Sequence, residues 1–202
     1  MVKHGDSWNH VGYDWELRDA QDDQQWHGYD GPLPSQGIEM RVGDPKQFEL
    51  IVTDPYGDTD SLYRINSVTG TEFDDYMVSG DWEGGLSGMA GDDYLDGGGE
   101  WDSLNYRDEQ WHDDFGTQGV YVNFSSKTQY FGAYTIASST AIDSFGDTDT
   151  FRNFEAVRGT SNDDVVWGDD SEDGIDFRGY GGTDTFFGGD SERDTVDFSW
   201  DD

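Results

Sequence analysis

Large aliphatic side chains recur at a fixed interval in the middle of the chain: Met77, Leu86, Leu95 and Leu104 stand nine residues apart. Each is flanked by smaller or polar residues. That pattern predicts a run of three-residue strands, each with its middle side chain pointing inward and its neighbours pointing out. Four units carry the pattern, at 70–78, 79–87, 88–96 and 97–105. The aliphatic residue is always eighth. The sixth position is Asp75, Asp93 and Asp102 in three of them, and Gly84 in the second. One such strand cannot bury its own centre, so the units are expected to stack.

The same phase returns in the second half, with slips. Residues 159–167 place Asp164 sixth and Val166 eighth, and 168–176 place Asp173 and Ile175 there. Residues 179–187 then carry Asp184 and Phe186, and 189–197 carry Asp194 and Val196. Outside these blocks, 37–42 alternates and reads as a strand, and 48–52 reads as another. Asp54-Pro55-Tyr56-Gly57 between them and the first block is a turn. Residues 1–35 are polar and aromatic without helical periodicity.

The chain also repeats on a longer scale. Residues 57–81 lie over 146–170 with ten of 25 positions identical, and 36–40 resemble 118–122. Residues 23–27 likewise resemble 108–112. Two imperfectly repeated modules are therefore expected, 1–105 and 106–202. The second has a longer insert around 127–144, and 194–199 resembles 102–107 as if a third module began there.

Composition narrows the function. With 11 basic and 45 acidic residues the formal net charge is −34. Such a surface repels nucleic acid and anionic membranes, and repels itself unless cations bind. The acids are phased with glycine and the aromatic content is 15%. That argues against a disordered acidic tail. There is no cysteine, hence no disulfide and no thiolate metal site. No apolar run is long enough to span a bilayer. The first residues, Met1 to Asp6, contain no apolar signal segment, which predicts export by another route or a natural start elsewhere.

The nonapeptide pattern carries its own chemistry. Glycine lets the backbone turn tightly and brings carbonyl oxygens close to an ion, and Asp supplies the hard anionic oxygen that Ca²⁺ prefers. The pattern in 88–105, GMAGDDYLDGGGEWDSLN, resembles the G-G-x-G-x-D-x-U-x repeat. On these residues the chain resembles the RTX, or haemolysin-type calcium-binding repeat, family over roughly 57–105 and 146–198. Segments 119–124 and 147–157 resemble the spacers between repeat blocks of long bacterial members.

The resemblance implies an all-β fold, a right-handed parallel β-roll or β-solenoid with calcium in the turns. Its ligands would be Asp75, Asp93, Asp102, Asp164, Asp173, Asp184 and Asp194. The turn backbone at Gly70, Gly88, Gly91, Gly97, Gly99, Gly159, Gly168 and Gly179 would contribute carbonyls. It further implies that alternate turns share an ion, so that Asp75 pairs with Asp93, Asp164 with Asp184 and Asp173 with Asp194. Asp102 lacks such a partner, because Gly84 occupies the matching place. The competing reading is that these are turn aspartates capping backbone amides. Phe73, Trp82 and Glu100 depart from the small residue the repeat has at its fourth position. Asp74, Asp92 and Asp163, just before the sixth positions, are expected to be solvated.

Other chemistry has little support. His4, His10, His27 and His112 show no metal-ligand spacing, and because His27 and His112 each follow Trp in equivalent repeat positions, structural stacking is the better reading. There is no G-x-S-x-G, H-E-x-x-H or P-loop, so no enzyme is expected. Tryptophans such as Trp82, Trp101 and Trp167 suit either a sugar-stacking face or a cover for solenoid edges. The reading that follows is a non-enzymatic, calcium-dependent structural or adhesive module outside the cell or on a particle surface. Its partners would be Ca²⁺, further copies or a larger assembly, and glycan, without nucleic acid or membrane insertion. Two alternatives stand beside it: a module of a larger secreted polysaccharide-acting enzyme or toxin, and a bacteriophage decoration or tail protein.

Overall fold

The computed structural model describes residues 34–111, 116–169 and 174–199; for residues 2–4, 7–9, 110 and 111 it describes the backbone alone. The protein is all-β, and among the described residues the only helices are two short 3-10 turns, Pro45–Gln47 and Arg107–Trp111. Strands β1 (Val2–His4) and β2 (Ser7–Asn9) form a separate antiparallel pair. Asp173, the four histidine side chains, the Trp8 side chain, Trp15, Trp26 and Trp200 lie outside what is described.

The body consists of two sheets. One has six strands: β6 (Ser67–Thr69), β8 (Gly84–Ser87), β10 (Asp102–Asn105), β16 (Ala156–Arg158), β18 (Asp176–Arg178) and β20 (Thr195–Val196). Every pairing in it is parallel. The other sheet takes the strands between them in sequence: β7 (Tyr76–Val78), β9 (Tyr94–Asp96), β17 (Val165–Trp167) and β19 (Thr185–Phe187). The chain therefore shuttles from sheet to sheet in steps of about nine residues, as the hydrophobic phase requires. Leu95 pairs with Met77, and Leu104 with Leu86, in register.

That second sheet is mixed, where a uniformly parallel one was expected. It also holds β3 (Glu39–Val42), β4 (Glu49–Thr53), β5 (Thr59–Tyr63), β11 (Tyr121–Asn123), β14 (Thr140–Ile142) and β15 (Thr148–Arg152), ten strands in all. β3, β4 and β5 pair antiparallel in succession, and so do β11, β14 and β15. The cause is local. The Asp54 carboxylate accepts the amides of Tyr56 and Asp58, both at 2.9 Å, and Gly57 takes φ +88°. Asp143 does the same for the amides of Phe145, Gly146 and Asp147, with Gly146 at φ +99°. Both turns are too short for a parallel crossover and reverse the chain in place. The insert also folds as a small hairpin, β12 (Gln129–Phe131) with β13 (Tyr134–Ile136).

The two halves of the body share one register. Met40 lies between Val52 and Met77, and Val122 lies between Ala141 and Val166. Val68 pairs Leu86, and Val157 pairs Phe177. One phase slip departs from the sequence expectation. The strand of the 168–176 unit is centred on Phe177 rather than Ile175, although both are buried. A continuous core runs between the sheets and includes Met40, Met77, Leu86, Leu95, Leu104, Val122, Phe151, Val157, Val166 and Phe177.

Candidate cation-binding turns

Asp75, Asp93, Asp164 and Asp184 each come immediately before a strand, and their carboxylates reach sideways to neighbouring backbone amides. Oδ1 of Asp75 accepts the Ile38 amide at 2.5 Å, and its Oδ2 accepts the amide of Thr71 at 2.6 Å. The Asp75 amide in turn donates to Oδ1 of Asp93 at 2.8 Å, and the Asp93 amide to Oδ1 of Asp149 at 3.2 Å. In the second half, Val120 donates to Asp164, which accepts the Thr160 amide as well, and the Asp164 amide donates to Asp184 at 3.0 Å. These are carboxylates stacked up the edge of one sheet.

The glycines fit around them. A Cβ on Gly70 would collide with Oδ2 of Asp75, and one on Gly88 with Oδ2 of Asp93. Gly159 and Gly179 stand in the same relation to Asp164 and Asp184. Gly91, at φ +109°, lies flat on the turn below it, where a Cβ would come within 2.7 Å of the Phe73 carbonyl carbon. A Cβ on Gly97 would strike the Asn153 carbonyl oxygen, and those on Gly99 and Gly168 would sit about 3 Å from Asp81 and Gly188. The turns are thus packed backbone against backbone, with the carboxylates in the gaps.

The placement of the remaining predicted residues is uneven. Asp102 is 1% exposed, it stands beside Gly84 in the register, and neither of its oxygens has a hydrogen-bond partner among the described residues. The Gly84 amide donates instead to the Trp101 carbonyl at 3.3 Å. The Asp102 amide donates to Glu155 at 2.8 Å, so the acid beside Asp102 comes from the other direction. Asp194 Oδ1 accepts the Ile175 amide at 2.9 Å, and Asp173, its expected partner, lies outside the described residues. The fifth-position acids form an outer ladder: Asp74 accepts the Asp92 amide, Asp92 that of Thr148, and Asp163 that of Thr183, all at exposed positions.

Burial sets the electrostatics. It pushes the Asp75 carboxyl up to about 6 and that of Asp164 to about 7. Asp102 rises to about 7 through burial and the charge of Glu155. Asp93 is driven far above the usual carboxylate range, first by burial and then by the charge of Asp149. Its Oδ2 is buried without a hydrogen-bond partner among the described residues.

Asp93 also borders an acidic pocket that sequence reasoning missed. Tyr106, wholly buried, donates its hydroxyl to Oδ2 of Asp149 at 3.0 Å. Glu109, wholly buried too, accepts from the Ser144 hydroxyl and from the Ser144 amide at 3.2 Å. Burial and then the charge of Asp143 raise both Glu109 and Asp149 well above the ordinary range. Glu109 Oε1 and Asp143 Oδ2 lack partners among the described residues. Asp149 was readable, because it precedes Thr150-Phe151-Arg152 as the other acids precede their strands. Asp143 repeats the turn of Asp54. Glu109 carries no comparable signal.

The residues fit a hard divalent ion in kind: anionic oxygens, some unpartnered, enclosed by glycine turns with backbone carbonyls near by. Among the described residues, no three His, Asp or Glu side chains already converge as a ligand set. Any ion would therefore draw much of its coordination from backbone oxygens. No helix among the described residues is long and apolar enough to cross a membrane. The chain matches no protein-family model, and no curated protein matches it.

Proposed function

We propose that this protein is a non-enzymatic calcium-binding module, a right-handed β-roll that folds as it binds the ion and serves as a structural or adhesive element outside the cell or on a particle surface. The observation that carries the reading is the ladder of buried sixth-position carboxylates closed in by glycines. Burying a charge without a counter-charge is costly. The ion pairs Arg41–Glu39, Arg152–Asp96 and Arg178–Asp197 include none of the buried ladder acids Asp75, Asp93, Asp102 and Asp164. Calcium at the turns neutralises the ladder and lets the three-residue strands close on one another. Extracellular modules bind calcium at about 10⁻⁴–10⁻³ M, a range met outside cells and not in the cytosol.

A calcium titration in chelator-treated buffer, followed by circular dichroism, tests this. The expected result is a cooperative gain of β-signal with several ions bound per chain. A full β-signal in chelator would overturn it.

Exposed Phe131 and Phe187, which flank the buried Trp167, favour a second reading, a glycan-contacting module of a larger secreted protein. Tyr134 packs on Tyr121 at 4.3 Å, Phe131 lies edge-on to Trp167, and Trp167 stacks on Phe187 at 5.7 Å. Binding on a glycan array with calcium present, lost on substitution of Phe187, would support it.

A further inference from the structure

The repeated register gives the two ends of the body defined partners. Inside the chain, the first half joins the second through two parallel pairings, β9 with β15 and β10 with β16. Leu95 there faces Phe151, and Leu104 faces Val157, all four at 3% exposure or less. By the shared register, β19 and β20 at one end correspond to β9 and β10. At the other end, β5 and β6 correspond to β15 and β16. Each has one edge without a strand partner among the described residues.

The residues that the internal joint buries are uncovered at these ends. Phe198 corresponds to Tyr106 and is 70% exposed where Tyr106 is 0%. Val196 corresponds to Leu104 and is 39% exposed. At the opposite end, Ile65 corresponds to Phe154 and is 40% exposed against 5%. Leu62 and Val68, which match the buried Phe151 and Val157, are only partly covered. Polar contacts change in step. The positions of the internal Arg152–Asp96 ion pair correspond at the two ends to Tyr63 and Phe187, 52% and 47% exposed.

We propose that copies of this chain associate head to tail, the β5/β6 end of one docking on the β19/β20 end of the next and reproducing the internal joint. Phe186 then faces Leu62, and Val196 faces Val68, in the register of Leu95 with Phe151 and Leu104 with Val157. Such an interface is heterologous: each copy uses one patch and leaves the other free, so the assembly is open-ended. Unpaired sheet edges with exposed apolar residues are templates for this kind of strand addition. The proposal rests on the structural-module reading and names its partner, a second copy of the same chain.

Sedimentation of the full chain over a wide concentration range in calcium tests it, with circular dichroism of the same samples reporting the fold. Wild type is expected to give a growing series of oligomers. Ile65→Asp blocks one end and Val196→Asp the other; both positions are exposed, so both variants keep the calcium-dependent signal. Each variant alone is expected to be monomeric, while an equimolar mixture forms dimers and nothing larger. A calcium-folded wild type that stays monomeric at every concentration overturns the assembly while leaving the calcium reading intact. A single variant that still dimerises also overturns it, because it would reveal a self-complementary contact instead.

Discussion

The backbone amide of Asp75 donates to the side chain of Asp93, one strand over in the same sheet and 18 residues on in sequence, at 2.8 Å. The relationship recurs between Asp164 and Asp184, 20 residues apart. An acid at the sixth position therefore has two duties. Its carboxylate satisfies the amide of the preceding coil, and its charge must be neutralised in a place where water is largely excluded.

Those duties separate in two variants. Both oxygens of Asp75 accept backbone amides, so Asp75→Asn turns an NH₂ group toward a donor and should cost about 2 kcal/mol with or without calcium. Asp93 uses Oδ1 alone, and its Oδ2 has no hydrogen-bond partner among the described residues. Asp93→Asn is expected to raise stability in chelator, by removing a carboxyl that must take up a proton to be buried, and to lower calcium affinity. Urea unfolding in chelator and in calcium checks the opposite signs.

Glycine packing gives a second prediction. Gly88→Ala places a methyl group on Oδ2 of Asp93 and should destabilise by about 3 kcal/mol while weakening calcium binding. Gly57→Ala is the control. Its φ of +88° makes alanine strained, yet nothing lies within 4 Å, so the cost is about 1 kcal/mol with calcium affinity unchanged. Thermal melts with isothermal calcium titration read both.

The raised carboxyls make stability depend on pH in opposite senses with and without the ion. Asp75 and Asp164 rise from 3.8 to about 6 and about 7. Their stabilising contribution is complete below the unfolded carboxyl range and is lost as pH rises through the folded values, on the order of 3 kcal/mol for Asp75 and about 4 kcal/mol for Asp164. In chelator, acidification from about pH 8 to about pH 5 should therefore raise the melting temperature. In calcium the ions need the ionised carboxylates, so the same acidification should raise the midpoint of the calcium titration. Melting temperature against pH in the two buffers decides it.

The core should respond as a packed interior does. Leu95 is wholly buried and stands in register with Met77 on one side and Phe151 on the other. Leu95→Ala is expected to cost about 3 kcal/mol, read by chemical denaturation in calcium.

Much of this architecture was legible because a nine-residue period fixes which side chain faces inward. Met77, Leu86, Leu95 and Leu104 are all buried at 2% exposure or less. The strands expected within 37–42 and 48–52 appear as β3 and β4. Their antiparallel pairing was not read, because alternation reveals a strand and not its direction. The phase of β18 slipped because Ile175 and Phe177 are both apolar and only the pairing with Val157 separates them. The pocket of Glu109, Asp143 and Asp149 was out of reach for a different reason. Its contacts close over 35 to 56 residues, across an insert that has no counterpart in the first half. Asp74, Asp92 and Asp163 were expected to be solvated; they are exposed and also bind the amides of adjoining turns.

The unequal strand numbers of the two sheets have a mechanical consequence. Between them, β3 to β10 lay five strands into one sheet and three into the other, and β11 to β20 do the same apart from the small hairpin. At about 4.8 Å per strand, that is a span of about 24 Å facing one of about 14 Å. Two bonded strips of different width bend toward the narrower, as a bimetal does. Successive copies docked end to end would trace an arc with the ten-stranded sheet on its convex side.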